Sequence, residues 1–137
     1  MPNYLLDSNA VSEMMRNPDG PVARVYRIKE PDSDARLFIS IISAAEMRYG
    51  AAKKRSPQLS QRVDRMLLSM EIAPLAPHAD AEYATLRADL ERRGQLIGPN
   101  DMMIAAHALA LGAILVTDNV REFKRVKGLK IENWLRG

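Results

Sequence analysis

Tyr4-Leu5-Leu6-Asp7-Ser8-Asn9 begins with consecutive apolar residues that stop at an acid. A run this short, with no polar alternation, reads as a strand covered on both faces, as in a parallel sheet. The pattern returns in Leu37-Phe38-Ile39, which leads toward Glu46, and in Ala113-Ile114-Leu115-Val116, which runs into Thr117-Asp118-Asn119. Ile72-Ala73 and Leu129-Lys130-Ile131 are weaker versions. Between them, apolar residues recur at three- and four-residue steps: Leu59, Val63, Met66, Leu67 and Met70; then Ala79, Tyr83, Leu86 and Leu90; then Ile104, Ala105, Ala108, Leu109 and Leu111. That spacing predicts helices. Strands alternating with helices predict right-handed βαβ units, an α/β class with a short central parallel sheet between helical layers. Sites in such sheets lie beyond the carboxyl ends of the strands.

Breaks at Pro18-Asp19-Gly20-Pro21, Pro31-Asp32-Ser33-Asp34, Ser56-Pro57, Pro74 to Pro77 and Gly98-Pro99-Asn100 cut the chain into short pieces rather than halves. With 137 residues, this favours one domain over 1–137. The absence of cysteine excludes disulfides, thiolate catalysis and Cys-ligated zinc, and suits a reducing cytoplasm. No run approaches the ~18–20 apolar residues of a membrane span, and Met1-Pro2-Asn3-Tyr4 lacks the basic start of a secretory signal. Twenty Lys and Arg against 17 Asp and Glu leave a net charge of +3, which permits a polyanionic partner without demanding one.

Four acids follow strands or open helices: Asp7, Glu46, Asp101 and Asp118. Each has a structural explanation. Ser43-Ala44-Ala45-Glu46 matches a capping box in the first turn of a helix. Asp101 follows Asn100, a plausible N-cap, and favours the positive end of the helix dipole. Asp7-Ser8-Asn9 and Asp118-Asn119 suit caps or turns. Taken together they say more, because a parallel sheet sends the acids after the strands to one edge. Like charges about 4 Å apart repel by about 4 kcal/mol at an effective dielectric of 20. Such a cluster needs protons or cations. Oxygen-only ligands select a hard cation such as Mg²⁺ or Mn²⁺, and that chemistry suits phosphodiester hydrolysis.

The chain resembles the PIN-domain ribonucleases, and within them the VapC toxins of bacterial toxin–antitoxin pairs. Four segments carry the resemblance, in order along nearly the whole chain: Tyr4-Leu5-Leu6-Asp7-Ser8-Asn9; Ala45-Glu46-Met47-Arg48-Tyr49-Gly50; Ile97-Gly98-Pro99-Asn100-Asp101; and Leu115-Val116-Thr117-Asp118-Asn119 with Arg121-Glu122-Phe123. It implies a PIN-like three-layer α/β/α sandwich and an Mg²⁺- or Mn²⁺-dependent endoribonuclease. Asp7 and Asp101 would be the metal-binding carboxylates, Glu46 the third acid, and Thr117 the polar residue shaping the pocket. For the fourth position, the family's Thr-any-Asp pattern falls on Asn119. Either Asp118 completes the site or Asn119 offers a neutral oxygen. The family's Asp after Pro-Leu is Ala76 here, and its usual Thr after the first Asp is Ser8. The resemblance also implies a structured RNA substrate such as a tRNA, a cognate VapB-like antitoxin and a homodimer.

His107, more than a turn beyond Asp101, should face helix packing rather than the site, and His78 should cap or lie at the surface. The methionines fall mostly at core spacing, although Met14, Met15 and Met47 could line a groove for a partner. Lys53-Lys54-Arg55 and the bases from Arg121 to Lys130 are either solvated charge or phosphate contacts. Two other functions are compatible with an acid after the first strand: a catalytically weak PIN-fold binding module and an aspartate-based phosphoryl-transfer domain. Asn9 stands where the phosphatase type of the latter needs a second acid.

Overall fold

A computed structural model describes residues 2–31 and 34–136. Asp32 and Ser33, in the break predicted at Pro31 to Asp34, lie outside the described residues. Five parallel strands stand in the order β3-β2-β1-β4-β5. They are β1 (Asn3–Leu6), β2 (Arg36–Ser40), β3 (Glu71–Ala73), β4 (Ala113–Val116) and β5 (Ile131–Glu132). Central β1 pairs on both sides, with Leu5 opposite Phe38 and opposite Leu115. The chain builds the sheet outward from β1 to β3, then returns across it to add β4 and β5. The order therefore reverses between β1 and β4, and the crevice beyond their carboxyl ends is where an α/β sheet holds a ligand.

Alternation along β1 divides the core. Tyr4 and Leu6 pack with α1 (Ser8–Arg16), α2 (Pro21–Lys29), α3 (Ile41–Lys54) and α4 (Pro57–Leu68). Leu5 faces the other way, toward α5 (Ala79–Arg92), α6 (Pro99–Leu111) and Phe123 of α7 (Val120–Phe123). Both faces of the strands are covered, which is why their sequence shows no polar alternation. The α/β/α sandwich expected from the sequence is present.

Helix starts differ from the sequence reading. The N-cap of α3 is Ser40, whose hydroxyl accepts a hydrogen bond from Ile42 N at 3.1 Å. Ser43 is thus buried inside the helix, and Glu46 lies in its second turn rather than its first. The β-branched pair Ile41-Ile42 suggests a longer strand, but the Ser40 hydroxyl captures the backbone immediately after β2. Gly98, not Asn100, is the N-cap of α6; Pro99 takes the first helical position, where it loses no hydrogen bond. Asp101 remains in the first turn, favourably placed against the helix dipole.

Candidate active site

Asp7 closes β1 and opens α1. Its backbone N–H donates to Val116 O at 2.9 Å, tying it to the end of β4. As N-cap, its Oδ1 accepts from Ser8 N at 2.8 Å. The Thr117 hydroxyl donates to Oδ2 at 3.0 Å, the Asn9 amide donates at 3.2 Å, and the Ser43 hydroxyl lies 3.4 Å from Oδ1. The residue is only 4% exposed. Burial raises its pKa, partly offset by these donors, with Ser8 N the strongest. The cap reading holds for Asp7, whose carboxylate also stands at the crevice beyond β1 and β4.

Glu46 reaches the same edge from α3. Its Oε1 accepts from the Ser8 hydroxyl at 3.4 Å, and Asn100 Nδ2 of α6 stands 3.5 Å from Oε2. Burial raises its pKa, and the charge of Asp7 adds to the rise. Asp101 comes from α6 on the opposite layer. Its carboxyl is pushed up to about 6, first by burial, then by the charges of Asp7, Glu122 and Glu46 and by a hydrogen bond with Glu122. Thus β1, α3 and α6 deliver Asp7, Glu46 and Asp101 to one crevice, where the charge of Asp7 acts on both of the others.

Asp118 does not join them. Thr117, just past β4, turns inward to Asp7, whereas Asp118, in the bend that follows, turns outward. Its Oδ1 accepts from Asn133 Nδ2 at 3.1 Å and from Arg136 Nε at 3.0 Å. The hydrogen bond from Arg136, followed by that from Asn133, lowers its pKa. The fourth acid beside Asp101 is Glu122, on α7. Asn119 does not replace it: its amide nitrogen donates to Glu122 Oε2 at 3.3 Å, and its backbone N–H donates to the Thr117 hydroxyl at 3.0 Å. The available sequence signal was Arg121-Glu122-Phe123 directly after the strand, where Glu122 looks like ordinary helix-surface charge.

His107 is buried in α6, with Nδ1 2.9 Å from Ser40 Oγ and Nε2 2.9 Å from Pro74 O. The Pro74 carbonyl can only accept, so Nε2–H donates to it, and Nδ1 of the neutral ring accepts from the Ser40 hydroxyl. Burial lowers the His107 pKa, the Pro74 bond opposing it. It is a packing residue, as expected. His78 sits exposed at the start of α5 with φ 75° and no side-chain cap bond.

Among the described residues, Asp7, Glu46 and Asp101 have no Lys or Arg partner at ion-pair distance. Nor, among them, is any group of three or more His, Asp or Glu side chains arranged to hold an ion unaided. The donor set still fits a small hard cation. Mg²⁺ demands few protein ligands, commonly one or two carboxylates, and keeps several waters. Asp7, buried, and Asp101, partly buried, come from different elements and have no Lys or Arg at ion-pair distance among the described residues, which meets that requirement.

A cavity of about 410 Å³ adjoins this crevice, lined in part by Ser8, Glu46, Met15, Met47, Lys54 and Arg62. A second of about 410 Å³ shares Met15 and Arg62 with it and continues past Met14, Tyr26 and Met66. Together they form a methionine-lined groove with a basic rim, leading away from the acids.

This sheet order and these converging acids define a nuclease-like α/β fold with its site at the strand switch. The PIN domain family profile matches residues 4–129, and the chain belongs to that family. Within it, the chain belongs with the VapC ribonucleases. It is 38% identical to Ribonuclease VapC2 of Rickettsia felis, over 96% of this chain and 97% of that one. It is 33% identical to the tRNA(fMet)-specific endonuclease VapC of Salmonella typhimurium, over 98% and 99%. The crystal structure of VapBC2 from Rickettsia felis, bound to a promoter DNA fragment, superposes with a TM-score of 0.89 at 34% identity, covering 96% of this chain and 98% of that one. DNA-bound VapBC from Salmonella typhimurium gives 0.84 at 31% identity, covering 98% and 99%.

Proposed function

We propose that this chain is the toxin of a VapBC-type pair, a metal-dependent endoribonuclease that hydrolyses phosphodiester bonds in a structured RNA such as a tRNA. The observation that carries the reading is the convergence of Asp7, Glu46 and Asp101, with Glu122, at the crevice between β1 and β4. Asp7 and Asp101 would hold Mg²⁺, or Mn²⁺ in its place. When bound, the ion supplies a Lewis acid that makes water a better nucleophile and offsets charge on the phosphoryl oxygens. The chain's own residues do the rest. Ser8 N, Thr117 and Asn9 hold the Asp7 carboxylate in one orientation. Glu46, with its raised pKa, is placed to accept a proton from water at the crevice. The Asp101 carboxyl carries its charge above a pH of about 6, so the site is competent at neutrality. Glu122 beside Asp101 supplies an acid where Asn119 does not, which supports an active enzyme over an inactive binding module.

Family membership extends the proposal to its partners. The unit spans 1–137, acts in the cytoplasm as a homodimer, and is neutralised by a VapB-like antitoxin seated in the methionine-lined groove. Its apolar floor suits a protein side-chain stripe better than a phosphate backbone, and it runs directly to Glu46. No helix among the described residues is long and apolar enough to cross a membrane. The test is cleavage of a bacterial tRNA pool with Mg²⁺, with Mn²⁺ and with EDTA. Asp7→Ala and Asp101→Asn should each reduce kcat at least about 100-fold, as loss of charge stabilisation at a reacting centre does. Undiminished cleavage by both variants would overturn the assignment.

A further inference from the structure

The acid expected in the site and found outside it, Asp118, has a definite set of partners. Its carboxylate is gripped by Asn133 and Arg136 of the turn after β5, while its backbone N–H donates to Asn9 Oδ1 at 3.1 Å. Asn9 in turn donates from Nδ2 to Asp7 Oδ2 at 3.2 Å and contacts the Thr117 hydroxyl at 3.3 Å. A backbone N–H can only donate, so it dictates which end of the Asn9 amide faces it. The nitrogen is thereby left facing Asp7. Were the amide reversed, its oxygen would oppose a carboxylate oxygen.

The turn that grips Asp118 is itself fixed. Buried Trp134 packs against Tyr4 of β1 at 5.5 Å between centroids, and its Nε1 donates to Glu132 at 2.9 Å. Leu135 N donates to Asn133 Oδ1 at 3.0 Å, closing the turn. The Arg136 side chain is 75% exposed and that of Asp118 33%. An exposed pair of this kind adds little to folding stability. Its effect lies in where it holds the Thr117–Asn119 turn.

We propose that Arg136 and Asp118 are positioning residues for the acid site: their clasp holds the turn after β4, the turn holds Asn9, and Asn9 orients Asp7. The proposal rests on the reading of Asp7 as a working carboxylate of a nuclease, so its test includes a readout independent of cleavage. In ¹⁵N-labelled protein, the Asn9 side-chain amide signal, assigned by its loss in Asn9→Asp, should be distinct and protected from exchange. Arg136→Ala and Asp118→Ala should shift it toward the solvent-averaged position, and Arg136→Lys should restore most of it. In tRNA cleavage the same Ala variants should lose about 10-fold in kcat, the scale of one hydrogen bond to a charged group, at unchanged KM and nearly unchanged Tm. Arg87→Ala, which removes an exposed pair with Glu91 on α5, should alter none of these. An Asn9 signal indifferent to both clasp variants overturns the proposal, as does a shifted signal with wild-type kcat. If the Asn9 signal responds but the wild-type protein cleaves no RNA, the nuclease reading fails and the relay alone remains.

Discussion

Asp101 sets how the site responds to pH. Its folded pKa of about 6 lies above the ordinary 3.8, so between these values the folded chain keeps a proton that the unfolded chain has released. Stability from this group is therefore complete below 3.8 and is lost as pH rises through about 6. Asp7 and Glu46 are shifted in the same direction. Metal-free wild type and Asp101→Asn should melt at similar temperatures at pH 4, with the variant melting higher at pH 7. Calorimetry showing a constant difference across that range would contradict this. Adding Mg²⁺ at pH 7 should raise the wild-type Tm and leave the variant nearly unmoved. The convergence of Asp7, Glu46 and Asp101 on one crevice was legible in the sequence because Asp7 ends a strand, Asp101 opens a helix, and Glu46 lies on the helix that follows β2. Asp118 was misplaced because sequence does not show which of two consecutive polar residues turns inward. Glu122 escaped notice because its role depends on α7 folding back beside α6.

At the level of elements, the junction of β2, α3 and α6 holds two of the acids in place. His107 ties α6 to the Ser40 cap of α3 and to Pro74 after β3, and so fixes the separation of Glu46 and Asp101. His107→Ala leaves a cavity and two polar groups without their partner. It should destabilise the fold by about 2–4 kcal/mol in urea titrations. His107→Gln, which retains a donor and an acceptor, should recover part of that. The core strands and α4 to α6 were readable from apolar spacing. The shorter α1 and α2, and the true cap of α3, were not. In α3 a hydroxyl ends the strand sooner than the β-branched Ile41-Ile42 suggests, and this moves Glu46 into the second turn.

For the molecule as a whole, the net charge of +3 conceals a division between acids in the crevice and bases on the rim of the groove. If about three phosphates are neutralised by bases such as Lys54 and Arg62, tRNA affinity should fall about 20–40-fold between 50 and 200 mM salt. Steady-state kinetics should place that change in KM, leaving kcat nearly constant. Met15 lines both parts of the groove. Met15→Arg should weaken binding of the VapB-like partner at least about 10-fold, as a charge buried in an apolar seat does, while cleavage is retained. The arrangement of the sheet also governs when the site comes into being. Asp7 lies 110 residues from the Thr117 hydroxyl that orients it, and β1 stays unpaired on one side until β4 has been made. At ~5–20 residues per second, a ribosome needs about 5–20 s to cover that interval. During synthesis Asp7 and Glu46 are therefore present well before Asp101 and Thr117, and a growing chain has no assembled crevice until β4 and Thr117 have left the ribosome.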